Sequence, residues 1–107
     1  MLKDGSGMTR SRDVAIVGIY EHPLRDVEGK ISPLQMKAEC AANALADAGL
    51  NWSDVDAIYD AGEGGGMGGL TIAEYFGLNP NVIDTTNVGG SSYQFHAAHA
   101  RRDIQSG

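Results

Sequence analysis

The turn Thr86-Asn-Val-Gly-Gly-Ser-Ser92 has the residue types and spacing that bear most directly on chemistry. It leads from an extended, β-branched run, Asn81 to Thr86, into a helical stretch beginning at Tyr93. A tight strand-turn-helix corner places its central residue at a helix N-terminus, where backbone N–H groups and the helix dipole gather. Enzymes use such a corner for an acyl-accepting nucleophile, because the same features stabilise an anion. By local physics alone, Ser91 or Ser92 is simply the N-cap of the helix.

Other residues invite other chemistry. Six of the 15 glycines fall between Gly62 and Gly69, and Gly64-x-Gly66-x-x-Gly69 satisfies the dinucleotide-binding pattern between a strand and a helix. Asp84 then stands near where an acidic ribose ligand belongs. The same glycines also suit a mobile or closely apposed loop, and the strand they follow is the second rather than the first. His96 and His99 lie three apart on one helix, a spacing that can bind metal, but no nearby Cys or carboxylate pair completes a ligand set. Packing or interface contacts are the plainer reading. His22, before Pro23, reads as a surface loop residue. Arg101-Arg102 can meet a phosphate or simply solvate a helix end. Cys40 reads as core.

The elements that position these residues alternate. Val14-Ala-Ile-Val-Gly-Ile19 is continuously apolar, the pattern of a strand buried on both faces. A charged loop from Tyr20 to Ile31 follows. Ser32 as N-cap, Pro33 at the first helical position and Gln35 completing a capping box begin a helix, and Gly49 ends it. Trp52 to Val55 is a turn whose Trp covers the helix end. Ala57-Ile-Tyr59 begins a second strand, Leu70 to Phe76 is a short helix closed by Gly77, residues 81–86 are a third strand, and Tyr93 to Ser106 is a third helix. This order predicts an α/β fold of β-α-β-α-β-α type with a mostly parallel sheet. Loops 20–31, 61–69 and 87–92 then share the carboxyl edge, where ligands bind in such sheets.

With 8 basic and 14 acidic residues the formal charge is -6, which argues against nucleic-acid or anionic-membrane surfaces. No apolar run is long enough for a membrane span. A lone cysteine excludes an internal disulfide and fits a reducing cytoplasm. Residues 1–12 read as a flexible leader without a signal sequence, and 13–107 as a partial domain that continues past Gly107. Three parallel strands leave a strand without its neighbour, and small residues surround the last helix at Ala97, Ala98 and Ala100.

Taken together, these residues resemble the thiolase superfamily, and within it the sterol-carrier-protein-type thiolases and lipid-transfer-protein-like members. The resemblance rests on Val14-Ala-Ile-Val-Gly18, on the Ala-rich helix ending at Leu50 with Val55-Asp56, and on Asp84 to Gly107. In the family, the nucleophilic cysteine sits at the third-strand corner, 14 residues before an Ile and 17 before a Gly. Counted back from Ile104 and Gly107, that position is Gly90, and Asn87 matches the family's Asn three residues earlier. The resemblance implies a coenzyme A thioester as substrate with no separate cofactor, and acyl transfer or retro-aldol C–C chemistry. It also implies a homodimer at full length, with a small OB-fold partner in some members. Asn87, Gly89, Gly90, Ser91, Ser92 and His96 are the implied substrate-binding residues. With Gly90 in place of cysteine, no catalytic nucleophile is assigned, and the acid and base lie elsewhere. A non-catalytic acyl-CoA-binding or partner-supporting protein and a dinucleotide-binding domain are the alternatives.

Overall fold

The computed structural model describes residues 13–26, 28–63 and 66–107. The expected leader, 1–12, and Gly64 of the dinucleotide pattern lie outside the described residues. Among the described residues, three helices and two short strands form in the order α1 (Pro33–Ala48), a 3₁₀ turn (Trp52–Asp54), β1 (Ala57–Tyr59), α2 (Gly69–Phe76), β2 (Val82–Asp84) and α3 (Ser92–Ser106). β1 and β2 pair in parallel, with Ala57, Ile58 and Tyr59 opposite Val82, Ile83 and Asp84. The fold is mixed α/β around a two-stranded parallel sheet.

α1 begins and ends where its punctuation requires. The Ser32 side chain accepts the Gln35 N–H at 3.0 Å, Pro33 occupies the first turn, and Gly49 closes the helix at φ 73°. The capping box is half formed. The Gln35 amide donates to Glu39 one turn on, at 3.0 Å, instead of returning to the cap. The Trp52 ring packs edge-on against Phe76 of α2 at 5.2 Å.

The expected first strand does not form. Residues 14–19 are irregular, and Ile16 and Ile19 are 84% and 73% exposed rather than buried on both faces. The segment follows α1 instead of joining the sheet. Gly18 lies so near the Ala44 carbonyl that a Cβ there would come within 2.2 Å of its oxygen. The Ile19 N–H is satisfied by the Asp47 carboxylate at 3.1 Å, not by a ladder partner. The third strand is shorter than the expected 81–86, because β1 offers ladder partners only from Ala57 to Tyr59.

The packed centre is small. Ala61, Ile72 and Ala73 are the buried apolar residues among those described, joined by Gly68 and Gly69 at the start of α2. The glycine loop permits this. Gly68 holds φ 57°, and a Cβ on it would stand 2.2 Å from Thr85 Cγ2. Only glycine lets α2 approach the end of β2 this closely. Close apposition therefore accounts for these two glycines.

Candidate functional site

The corner after β2 is stitched together by its own side chains. Asn87 Oδ1 accepts the Gly89 N–H at 3.1 Å, and Gly89 takes φ 80°. The Ser92 hydroxyl donates to the Gly89 carbonyl at 2.6 Å and accepts the Val88 N–H at 2.9 Å. Ser92 is 1% exposed, so its oxygen is committed to the loop. Ser91 holds the N-cap position, but its side chain makes no cap bond. The expected serine N-cap is thus Ser91 by position, without a side-chain bond, while Ser92 closes the corner from inside the helix. Gly90 is exposed, and a Cβ added to it would meet nothing within 4 Å. Its φ is not positive, so a side chain there is sterically admissible.

His96 braces this corner from beneath. It is 4% exposed, and its Nε2 lies 2.9 Å from the Thr86 carbonyl. A carbonyl only accepts, so Nε2 carries the proton and Nδ1 is left as a buried acceptor without a partner among the described residues. The rings of Tyr93 and Tyr59 flank it at 5.1 and 6.3 Å. His99 goes elsewhere, with Nδ1 2.7 Å from Asp84 Oδ2. The two histidines therefore do not converge. Among the described residues no group of three or more His, Cys, Asp or Glu is placed to hold a metal ion.

Asp84 is engaged within the protein. Thr86 Oγ1 donates to its Oδ1 at 2.6 Å, and this bond, with His99 on the other oxygen, holds the carboxyl below its ordinary value of 3.8. Two amides of the glycine loop are similarly used: Met67 N–H donates to Thr71 Oγ1 at 2.7 Å and Gly69 N–H to Thr85 Oγ1 at 2.9 Å. Arg102 reaches its neighbour Asp103 at 3.1 Å, and Arg101 is exposed. His22 is not a plain surface residue. Its Nδ1 accepts the Leu24 N–H at 3.1 Å, and Nε2 donates to Glu39 at 2.6 Å, pinning the loop to α1. Cys40 is half-buried on the face of α1 that looks toward β1.

A second cluster escaped the sequence reading. Lys37 Nζ sits 2.5 Å from Asp60 Oδ1 and 3.3 Å from Glu63 Oε1, and the Tyr93 hydroxyl donates to both Glu63 oxygens at 2.6 and 2.7 Å. Asp60 is buried, with the Gly62 N–H on its other oxygen at 2.8 Å. The Tyr93 bond lowers the Glu63 pKa, while burial, then Glu63, pushes the Tyr93 phenol up. One signal was legible: Lys37 is the only basic residue in α1, and Asp60 ends an apolar strand. The cluster joins α1, the glycine loop and the first turn of α3.

No family model, no curated protein and no solved structure matches the chain. No helix among the described residues is long and apolar enough to cross a membrane.

Proposed function

We propose that the chain supplies the first α/β elements of a thiolase-like acyl-CoA enzyme, with the Asn87–Ser92 corner facing the thioester. The observation that carries this reading is the corner itself. Asn87 and Ser92 bond back to the turn's own backbone, and an open glycine, Gly90, stands at the N-terminus of the 15-residue helix α3. That combination suits an oxygen that becomes negative, because the helix dipole and fixed N–H groups require no rearrangement as charge develops.

Gly90 cannot carry an acyl group, so acyl transfer through a cysteine is not the reaction assigned to it. In the retro-aldol form, a base takes the β-hydroxyl proton, the Cα–Cβ bond breaks, and its electron pair moves to the thioester oxygen as an enolate. The corner's part is to hold that oxygen; the acid and base come from other groups. Full catalytic assembly would be a homodimer, in some versions with a small OB-fold partner. A second reading is a non-catalytic acyl-CoA-binding scaffold, favoured by the inward commitment of Ser92, the most buried hydroxyl of the corner.

Titration of the isotope-labelled chain with acetoacetyl-CoA tests both. The amides of Gly89, Gly90, Ser91 and Ser92 are expected to shift in a saturable manner, and NADH is expected to leave Gly66 to Gly69 unmoved. Silent corner amides sink the acyl-CoA reading. An NADH response at Gly66 to Gly69 restores the dinucleotide reading.

A further inference from the structure

Between α1 and β1 runs an open groove of about 440 Å³, within the size range of small-molecule sites. Its walls are apolar: Cys40 and Ala44 of α1, Ile58 of β1, Ile72 and Phe76 of α2. Lys37, Asp60 and Tyr93 also line it, and Glu63 links Lys37 to Tyr93. The groove therefore joins an aliphatic wall to one compact polar cluster.

We propose that this groove binds an uncharged, hydroxyl-headed aliphatic molecule, with the head at the Lys37–Asp60–Glu63–Tyr93 cluster. The charges choose the head. Two carboxylates face one ammonium, so the cluster carries one net negative charge, and a fatty carboxylate is repelled. An ammonium has three protons. Those of Lys37 meet Asp60 and Glu63, and no third partner is present among the described residues. A hydroxyl accepts the remaining proton and donates its own to Glu63, which is 52% exposed at its side chain and keeps free lone pairs. An ammonium head, although drawn by the same net charge, has no lone pair to accept that proton and would set a second cation beside Lys37. The aliphatic chain gains by leaving water along the groove walls. This site is separate from the Gly90 corner, and its test reads a different probe.

Trp52, the only tryptophan, lines the groove and reports on it. Its fluorescence is followed during titration of the whole chain with 1-octanol, octanoate and octylammonium. Octanol is expected to give a saturable change at one site, with octanoate and octylammonium each at least tenfold weaker. In Glu63→Gln the cluster becomes neutral, and octanoate is expected to come within about threefold of octanol. Because Glu63 is half exposed, this variant should keep the far-ultraviolet spectrum of the parent, which is checked alongside. A flat octanol titration overturns the proposal, as does equal binding of octanol and octanoate to the parent chain. Loss of the octanol response when the chain doubles in mass overturns it too, since a second copy would then fill the groove.

Discussion

Ile72 in α2 is 4% exposed, whereas Phe95 in α3 is 48% exposed, although both helices are attached to the same pair of strands. α2 is held by apolar burial and by glycines that bring its start against Thr85 and Ile83. α3 is held by polar tethers: Tyr59 to Asp103 at 2.7 Å, His99 to Asp84 at 2.7 Å, His96 to the Thr86 carbonyl and Tyr93 to Glu63. Apolar burial is insensitive to protonation, and tethers to carboxylates are not. The α2 unit should therefore fail by losing volume or close approach, and α3 by changes in pH.

The strongest way to break the α2 side is Gly68→Val. A left-handed backbone and a Cβ that overlaps Thr85 add to a loss of about 4 kcal/mol, read as loss of cooperative urea unfolding. Next comes Ile72→Ala, which leaves a cavity and costs about 3 kcal/mol. If either variant melts like the parent, α2 is not held by burial. Gly90→Cys is the control: its Cβ lies in open space, so stability should be unchanged and the new thiol should alkylate readily.

On the α3 side, pH does the work. Asp84 and Asp103 both have lowered pKa values, Asp84 chiefly by the Thr86 hydrogen bond and Asp103 chiefly by the Tyr59 hydrogen bond. A depressed carboxyl stabilises the fold above its unfolded value, here 3.8, and that contribution disappears as pH falls through the folded value. Tyr59 has the opposite sign. Burial, then the Asp103 bond, pushes its phenol from 10.0 to about 12, so its contribution is whole below pH 10.0 and is lost as pH rises toward about 12. Hydrogen exchange of α3 amides is expected to quicken below pH 3.8 and above pH 10.0, with α2 amides following only at global unfolding. Tyr59→Phe should quicken α3 exchange about fivefold, for a hydrogen bond of about 1 kcal/mol, and weaken the alkaline arm, leaving the part that Tyr93 supplies. Parallel acceleration of α2 would erase the distinction.

Helix termini were legible in the sequence because they depend on a few adjacent residues. Ser32, Pro33 and Gly49 bound α1, and Gly77 ends α2 at φ 69°. The parallel pairing of residues 57–59 with 82–84 was legible from the alternation of elements. The run at 14–19 misled because continuous β-branched apolar residues state only a preference, which tertiary contacts override. Gly18 and Asp47 instead supply a route along α1. At the site, the Asn87 turn and open Gly90 lie within one short segment and could be read locally. The Lys37–Asp60–Glu63–Tyr93 cluster could not, since its members are up to 56 residues apart and meet only when α1, β1 and α3 assemble. His22 was misread for the same reason: its partner Glu39 lies 17 residues on.

The smallest expected effect is the sharpest check of the comparison. Phe95 sits on α3 with half its surface in water, and its nearest ring neighbour is His99 at 6.4 Å. If polar tethers alone hold α3, removing this ring sacrifices little burial. Phe95→Gln should then change the unfolding free energy by no more than about 0.5 kcal/mol, the ordinary range for a surface substitution. It should also leave the acid and alkaline limits of α3 exchange where they were. A loss above about 2 kcal/mol would mean that Phe95 is covered in solution, with α3 buried in an interface with a second copy. Sedimentation of Phe95→Gln beside the parent separates these outcomes, because only an interface makes the mass change with the ring.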